Sequence, residues 1–427
     1  MMKLISFVGT SKYIETIYKD DDKKSSPSKF VQRALCEFLK PSQLLLLVTQ
    51  EAKSMHLADL LDEIKPTGVE VSPIDIPSGR NESELWEIFS RLTDILEEGD
   101  RVIFDITHSF RSIPMLVLLA ASYLRVAKQV HIDGVYYGAF DSKEESGETP
   151  IFNLTPFLEL LNWTSATDQF LHTGDARGLA RLLKGKHAAV WKQRTGQPDE
   201  ELPKKLQSLA ARLEEVSLAL ALGQPRNSLP RAAHIQRVLI EVESETEQWA
   251  QPFDILLDRI RKDYLSISLE KDAPLIEHLR THRRLIHWYL ERQQTMQAVS
   301  LAREWVVSLF CWRLKEEEWL ERRTRENVER KLGELKGLHE NSRGEGEGSN
   351  RESRIVLALL SELDLPDQSD FQDISACWSR ISELRNQIDH CGMQKDSNDA
   401  DSLMRNTEKL ERDLDKLARI TGLDNSV

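Results

Sequence analysis

Two rhythms of apolar and polar residues divide the chain. Up to about residue 150 short apolar runs alternate with helical stretches, and after Leu154 only helical spacing remains. Lys3 to Val8 reads as a strand, Lys29 to Leu39 as a helix and Gln43 to Val48 as a second strand. The unbroken apolar run Leu44 to Val48 suits a parallel strand covered on both faces. Val69 to Ile76 alternates as a third strand, and Pro73 within it points to an edge position or a short strand. Ser83 to Leu96 is helical, with Leu85, Ile88, Phe89, Leu92 and Ile95 on one face and Ser83 as its expected cap. Val102 to Phe104 is a buried strand, Met115 to Ala127 a helix with Pro114 in its first turn, and Val130 to Tyr137 a further strand. Strands alternating with helices in this way predict an α/β, Rossmann-like fold: a parallel sheet flanked by helices.

Met115 to Ala121 is apolar all round, so that helix needs cover on two sides. The sheet supplies one, and a second subunit is expected to supply the other. From Leu154 onward an all-α region is expected. Its helices are Leu154 to Trp163, Gln169 to Leu183, Leu202 to Ala221, Ala232 to Ala250, Ile276 to Leu290, Gln297 to Leu314, Glu316 to Lys336, Ile355 to Leu363, Phe371 to His390 and Asp401 to Ile420. Gly185 to Leu202 and the glycine-rich Gly337 to Ser353 read as loops.

Composition narrows the class. A chain of 427 residues is expected to hold two or three domains, and 40% hydrophobic with 30% charged residues is a globular balance. No apolar run approaches the length of a membrane span, and the apolar stretch in Met1 to Gly9 is too short for a signal peptide. Cys36, Cys311, Cys377 and Cys391 are scattered, which fits a reducing cytoplasm and no structural zinc. The net charge of −13 speaks against broad duplex binding, so no DNA partner is expected. A local basic cleft for a short single strand stays compatible with it.

Two clusters carry candidate chemistry. The first lies between the strand Val102 to Phe104 and the helix after Pro114. Asp105, Thr107, His108, Ser109, Phe110, Arg111 and Ser112 fall where a parallel strand meets a helix N-terminus, the edge at which such sheets bind ligands and anions. Gly9, Thr10, Ser11 and Lys12 follow the first strand as a plausible phosphate cradle, and Pro77, Ser78 and Gly79 follow the third. Neither a dinucleotide fingerprint nor a P-loop is present. The second cluster is Arg385-Asn386-Gln387-Ile388-Asp389-His390. Phe371, Ile374, Trp378, Ile381, Leu384 and Ile388 form the buried stripe of that helix, and Arg385 stands about 40° from Ile381. Residues five apart diverge by about 140°, so Arg385 and His390 meet only if the last turn distorts near Gly392 or if two copies converge. The bland alternative is an arginine paired to a carboxylate with a solvent-facing histidine behind it.

Asp105-Ile106-Thr107-His108 followed by Phe110-Arg111-Ser112 resembles the DxTHG signature of a CRISPR-associated family. Phe7 to Tyr13 and Gly134 to Phe140 look like flanking segments of that family. Ser11 and Ser109 depart from its usual residues. The resemblance implies a dimeric CARF domain over residues 1–175 that senses cyclic oligoadenylate, with cyclic tetra-adenylate the favoured activator. Thr10, Ser11, Lys12, Arg111 and amides near Ser112 would take phosphates, while His108, Phe110 and Tyr137, beside Gly138, would face adenine or ribose. Residues 176–295 carry no matching motif and would connect the two ends.

Arg385 to His390 resembles the R-x-x-x-x-H of HEPN ribonucleases, and Ala302-Arg303-Glu304-Trp305 looks like that domain's first helix, which implies a HEPN domain over 296–427. A type III CRISPR effector follows from the pair of resemblances: a homodimeric, metal-independent endoribonuclease acting on single-stranded RNA. Its substrate's 2′-hydroxyl would attack the adjacent phosphorus, with Arg385, Asn386 and His390 as the catalytic set and no cofactor beyond the activator. The alternatives are a CARF sensor that also degrades its ligand and a non-catalytic RNA-binding scaffold.

Overall fold

The computed structural model describes residues 2–108, 113–143, 147–193, 202–341, 368–391, 393 and 398–423. The chain divides into two compact units, Met1–Asn162 and Trp163–Val427. The first holds strands β1 (Met2–Val8), β2 (Ile17–Asp20), β3 (Lys23–Lys24), β4 (Gln43–Val48), β5 (Glu70–Asp75), β6 (Arg101–Asp105), β7 (His131–Gly138) and β8 (Glu148–Asn153). They form one sheet in the order β3-β2-β8-β7-β6-β1-β4-β5. From β7 to β5 every neighbouring pair is parallel, while β8 runs antiparallel to β7. The expected Rossmann-like α/β unit is therefore present, enlarged at one edge by β2, β3 and β8, which are too short and polar to read as strands.

Alternation along the strands sorts the core into two layers. Leu4, Val8, Leu44, Leu46 and Val48 face helices α1 (Val31–Leu39) and α2 (Gln50–Ile64). Ile5, Phe7, Leu45 and Leu47 face α3 (Glu82–Asp94) and α4 (Ile113–Ala127). Pro73 sits on β5, an edge strand, as its missing amide requires. Asn81, not Ser83, caps α3: its side chain accepts the Glu84 amide at 3.0 Å. On α4, Val117, Ala120, Ala121 and Leu124 are buried, whereas Met115, Leu119, Tyr123 and Val126 are exposed. One side of this largely apolar helix is thus uncovered within its own unit.

Helix α5 (Thr155–Thr173) runs across the boundary between the units. The second unit continues with α6 (Arg177–Gln193), α7 (Leu206–Ala221), α8 (Pro225–Glu241), α9 (Glu243–Trp249), α10 (Gln251–Leu265), α11 (Leu275–Glu291), α12 (Thr295–Arg313), α13 (Arg322–Asn341), α14 (Gln368–Asp389), α15 (Ala400–Thr407) and α16 (Leu410–Ile420). One apolar core extends from Trp163 to Leu423. All-helical character matches expectation, but several boundaries differ. Gly185 lies inside α6, not at the start of a loop, because an isolated glycine weakens a helix without ending it. The helix expected over Gln169 to Leu183 is broken at Gly174, which adopts φ +71°. Asp401 to Ile420 is two helices, and α13 begins at Arg322 and runs past Gly337 to Asn341. The helix expected at Ile355 to Leu363 and the stop expected at Gly392 lie outside the described residues.

Candidate functional site

The order of the parallel strands reverses between β1 and β6, with β4 and β5 on one side and β7 and β8 on the other. A crevice opens at such a switch point outside the carboxyl ends of the strands. Gly9 to Lys12 leave β1 there and Thr107 and His108 leave β6, so the structure brings these two groups together. An ideal Cβ on Gly9 would come within 3.1 Å of the His108 carbonyl oxygen, which makes glycine the residue that lets the loops touch. Tyr137 and Gly138 end β7 next to them; the Gly138 amide donates to Thr107 Oγ1 at 2.8 Å. Pro77, Ser78 and Gly79 follow edge strand β5, two strands from β1 and so roughly 10 Å away along the sheet. Ser109, Phe110, Arg111 and Ser112 lie outside the described residues.

Asp105 anchors the site from beneath. It is fully buried, and Ser6 Oγ donates to its Oδ2 at 2.5 Å while the Thr107 amide and hydroxyl donate to Oδ1 at 3.0 and 2.5 Å. Burial pushes its carboxyl above the ordinary value, and these donated bonds pull it back. Gln32 Nε2 braces the group from α1, donating to Ser6 Oγ and to the Phe7 carbonyl, both at 3.0 Å. Asp105 and Thr107 therefore spend their polar groups on holding the loop.

The wall above them is aromatic. Tyr13 packs edge-on against His108 at 4.5 Å and against His56 of α2 at 4.7 Å, and its hydroxyl reaches Gly9. His108 Nε2 and His56 Nε2 are enclosed with no hydrogen-bond partner among the described residues. Burial, with His56 nearby, pushes the His108 imidazole down to about 4, so it is neutral at pH 7. Thr10 is half-buried and Ser11 and Lys12 are exposed, which leaves their donors turned to solvent at the sheet edge. Sequence reasoning missed Ser6, Gln32 and His56. Ser6 alone carried a signal, as a polar residue on an inward position of β1.

The second cluster sits at the end of α14. Ile374, Ile381 and Leu384 are buried as the stripe requires. Arg385 is half-exposed, its Nε 2.8 Å from Asp389 Oδ2, and its Nη1 reaches Asn386 Oδ1 at 3.4 Å. His390 is exposed, and its amide still donates to the Asn386 carbonyl at 3.1 Å. The last turn thus keeps helical bonding through His390, and the chain leaves the helix only at Cys391, φ +53°. Within one chain, Arg385 and His390 diverge. Behind them, Arg303 of α12 pairs with Glu329 Oε2 at 2.9 Å and lies 5.4 Å from the Trp378 ring, while Trp305 is fully buried and donates to the Leu279 carbonyl.

Comparison with known proteins places the first unit. Residues 3–141 match the family model described as CRISPR system endoribonuclease Csx1, CARF domain. The N-terminal unit is a CARF domain. Residues 159–267, beyond the CARF domain, match the second domain of CRISPR-associated protein MJ1674. That protein, from Methanocaldococcus jannaschii, is 31% identical over 154 residues, which are 35% of this chain and 22% of MJ1674. The region after the CARF domain is thus a domain with relatives of its own, although no motif in it was legible. Among the described residues no helix is long and apolar enough to cross a membrane.

Proposed function

We propose that the chain is a cyclic-oligoadenylate-activated, metal-independent endoribonuclease of type III CRISPR defence. One observation carries the reading: a CARF domain of the kind found in a CRISPR endoribonuclease shares its chain with Arg385 and His390 on the exposed end of a helix. A cyclic oligoadenylate binds at the switch point, where Thr10, Ser11 and Lys12 face solvent above the loop that Asp105 pins. The protein acts as a homodimer. The uncovered apolar side of α4 supports this, since Met115, Leu119, Tyr123 and Val126 leave a contiguous face that water would otherwise solvate.

The RNA site is composite in this reading. Because α14 stays regular to His390, the arginine of one protomer acts with the histidine of its partner across a two-fold axis. The substrate's 2′-oxygen forms a bond to phosphorus as the bond to the 5′-oxygen breaks. The His390 imidazole takes the 2′-hydroxyl proton or delivers one to the departing oxygen. Arg385, released from Asp389, stabilises charge on the phosphoryl oxygens, and Asn386 orients it. No water is consumed, and the products are a 2′,3′-cyclic phosphate and a 5′-hydroxyl. Dependence on the 2′-hydroxyl restricts the enzyme to RNA.

The test is cleavage of single-stranded RNA in chelator, with cyclic oligoadenylates of different ring sizes. Cutting that needs one of the rings, ignores chelator and vanishes in His390→Ala is the expected result. Intact RNA at every ring size and concentration would overturn the reading.

A further inference from the structure

Helix α14 carries more than the Arg385–His390 pair. Residues 380–387 of the same helix wall a cavity of about 100 Å³, faced from the other side by Asn398, Asn406 and Leu410. The volume is several times what a single water needs. Its floor is apolar: Ile381, Leu384 and Leu410 are all buried. The rim carries three carboxamides beside Glu383, Lys409 and Asp413. Asn398 Nδ2 donates to Gln387 Oε1 at 2.7 Å, and Gln387 Nε2 reaches Glu383 Oε1 at 3.3 Å. The carboxamide of Asn406 makes no hydrogen bond among the described residues.

Two cations line this cavity, Arg380 and the exposed Lys409. Arg380 donates from Nε to Asp413 Oδ2 at 2.8 Å and from Nη2 to Oδ1 at 2.5 Å, so a bidentate carboxylate offsets its charge. A phosphate of the same strand would meet Lys409 at the rim, whereas the floor offers it nothing polar. An apolar floor under a rim of amides instead matches a heterocyclic base, which has apolar faces and edges of mixed donors and acceptors. A carboxamide offers both a donor and an acceptor, the pair that reads such an edge. Position supplies the link to chemistry: Gln387 and His390 are three apart on one helix and hence neighbours on its surface, with Cβ atoms about 5–6 Å apart.

We propose that this cavity receives one base of the RNA substrate, beside the phosphate on which His390 acts, and sets the base preference at the cut. Asn406 and Gln387 are then specificity residues, and the assignment rests on the ribonuclease reading. The experiment gives full-length protein and its activating ring a randomised RNA pool and sequences the cut ends. In Asn406→Leu and Gln387→Leu, preference at one position beside the cut falls by roughly five- to 100-fold, the range of one paired base-edge contact. Asn406→Asp, which exchanges a donor for an acceptor at constant size, redirects the preference to another base. Unchanged preferences in all three variants overturn the assignment. If the wild type cuts no RNA, the ribonuclease reading fails first, and the cavity is tested separately by anisotropy with oligo(A), oligo(C), oligo(G) and oligo(U) on the His390→Ala protein. Affinities that differ among the four and become level with Asn406→Leu sustain the cavity; equal affinities from the outset overturn it.

Discussion

His108 sits behind Tyr13 with a ring nitrogen enclosed and unpartnered, and that placement makes it titrate differently in the folded and unfolded chain. Its folded value is about 4 against an ordinary 6.5. Between those values the unfolded chain binds more protons, so stability is fully present above about pH 6.5 and is lost as pH falls toward 4. The upper limit is about 3 kcal/mol. His282, buried and pushed down to about 3, adds in the same direction. Asp105, whose value is raised by burial, works oppositely and loses stability as pH rises. Thermal melts of wild type and His108→Phe at pH 7 and pH 5 separate these effects, since the variant keeps Asp105 and His282. The drop in melting temperature between the two pH values narrows in His108→Phe; an equal drop would deny the imidazole this role. At this scale the residue types at the sheet edge were legible, but their division of labour was not. Asp105 was visible as a turn acid, yet only the fold reveals that Ser6, contributed by another strand, takes up one of its oxygens.

The elements were legible where apolar spacing was dense. Residues 43–48 form β4 with the bounds that the pattern predicts, because both faces are buried and every position is apolar except the first. Short strands such as β8 escaped, since E-T-P-I-F-N holds two buried residues and a proline. Two glycines show why helix breaks are harder still. Gly174 ends α5 at φ +71°, and an added Cβ would lie 1.9 Å from Trp288 Cη2. That ring cannot retreat: its Nε1 donates to Asp263 and the Arg292 guanidinium stacks 3.9 Å from its centre. Gly185, mid-helix in α6, has open space around its missing side chain. Local sequence does not distinguish the two. Gly174→Ala should therefore destabilise the second unit by roughly 2–5 kcal/mol, from left-handed strain together with overpacking. Gly185→Ala should stabilise it by about 0.5–1 kcal/mol through helix propensity. Denaturant melts followed by circular dichroism check both, and like signs for the two substitutions would contradict the packing described here.

At the scale of the whole molecule, activation needs a site in each unit to share free energy. A ring that binds both conformations of the protein equally well activates nothing, so activation requires that the cleavage-competent state bind the ring more tightly. The sequence carried a motif for each site but none for residues 159–267, where the match to a known second domain lies. Helices that pack need apolar spacing and little else, and such spacing is common to helical domains in general. Linkage nevertheless gives these helices a measurable consequence. If the ring raises affinity for RNA by some factor, RNA must raise affinity for the ring by the same factor, commonly about 5- to 150-fold. On the ribonuclease reading, His390→Ala makes the measurement possible, because RNA would stay whole while both ligands bind. Titrating cyclic tetra-adenylate into that variant, with and without saturating single-stranded RNA, should give two dissociation constants in that ratio. The converse titration of RNA must return the same number. Equal affinities with and without RNA would mean that the ring controls catalysis without altering RNA binding, and the coupling would then have to act on the chemical step alone.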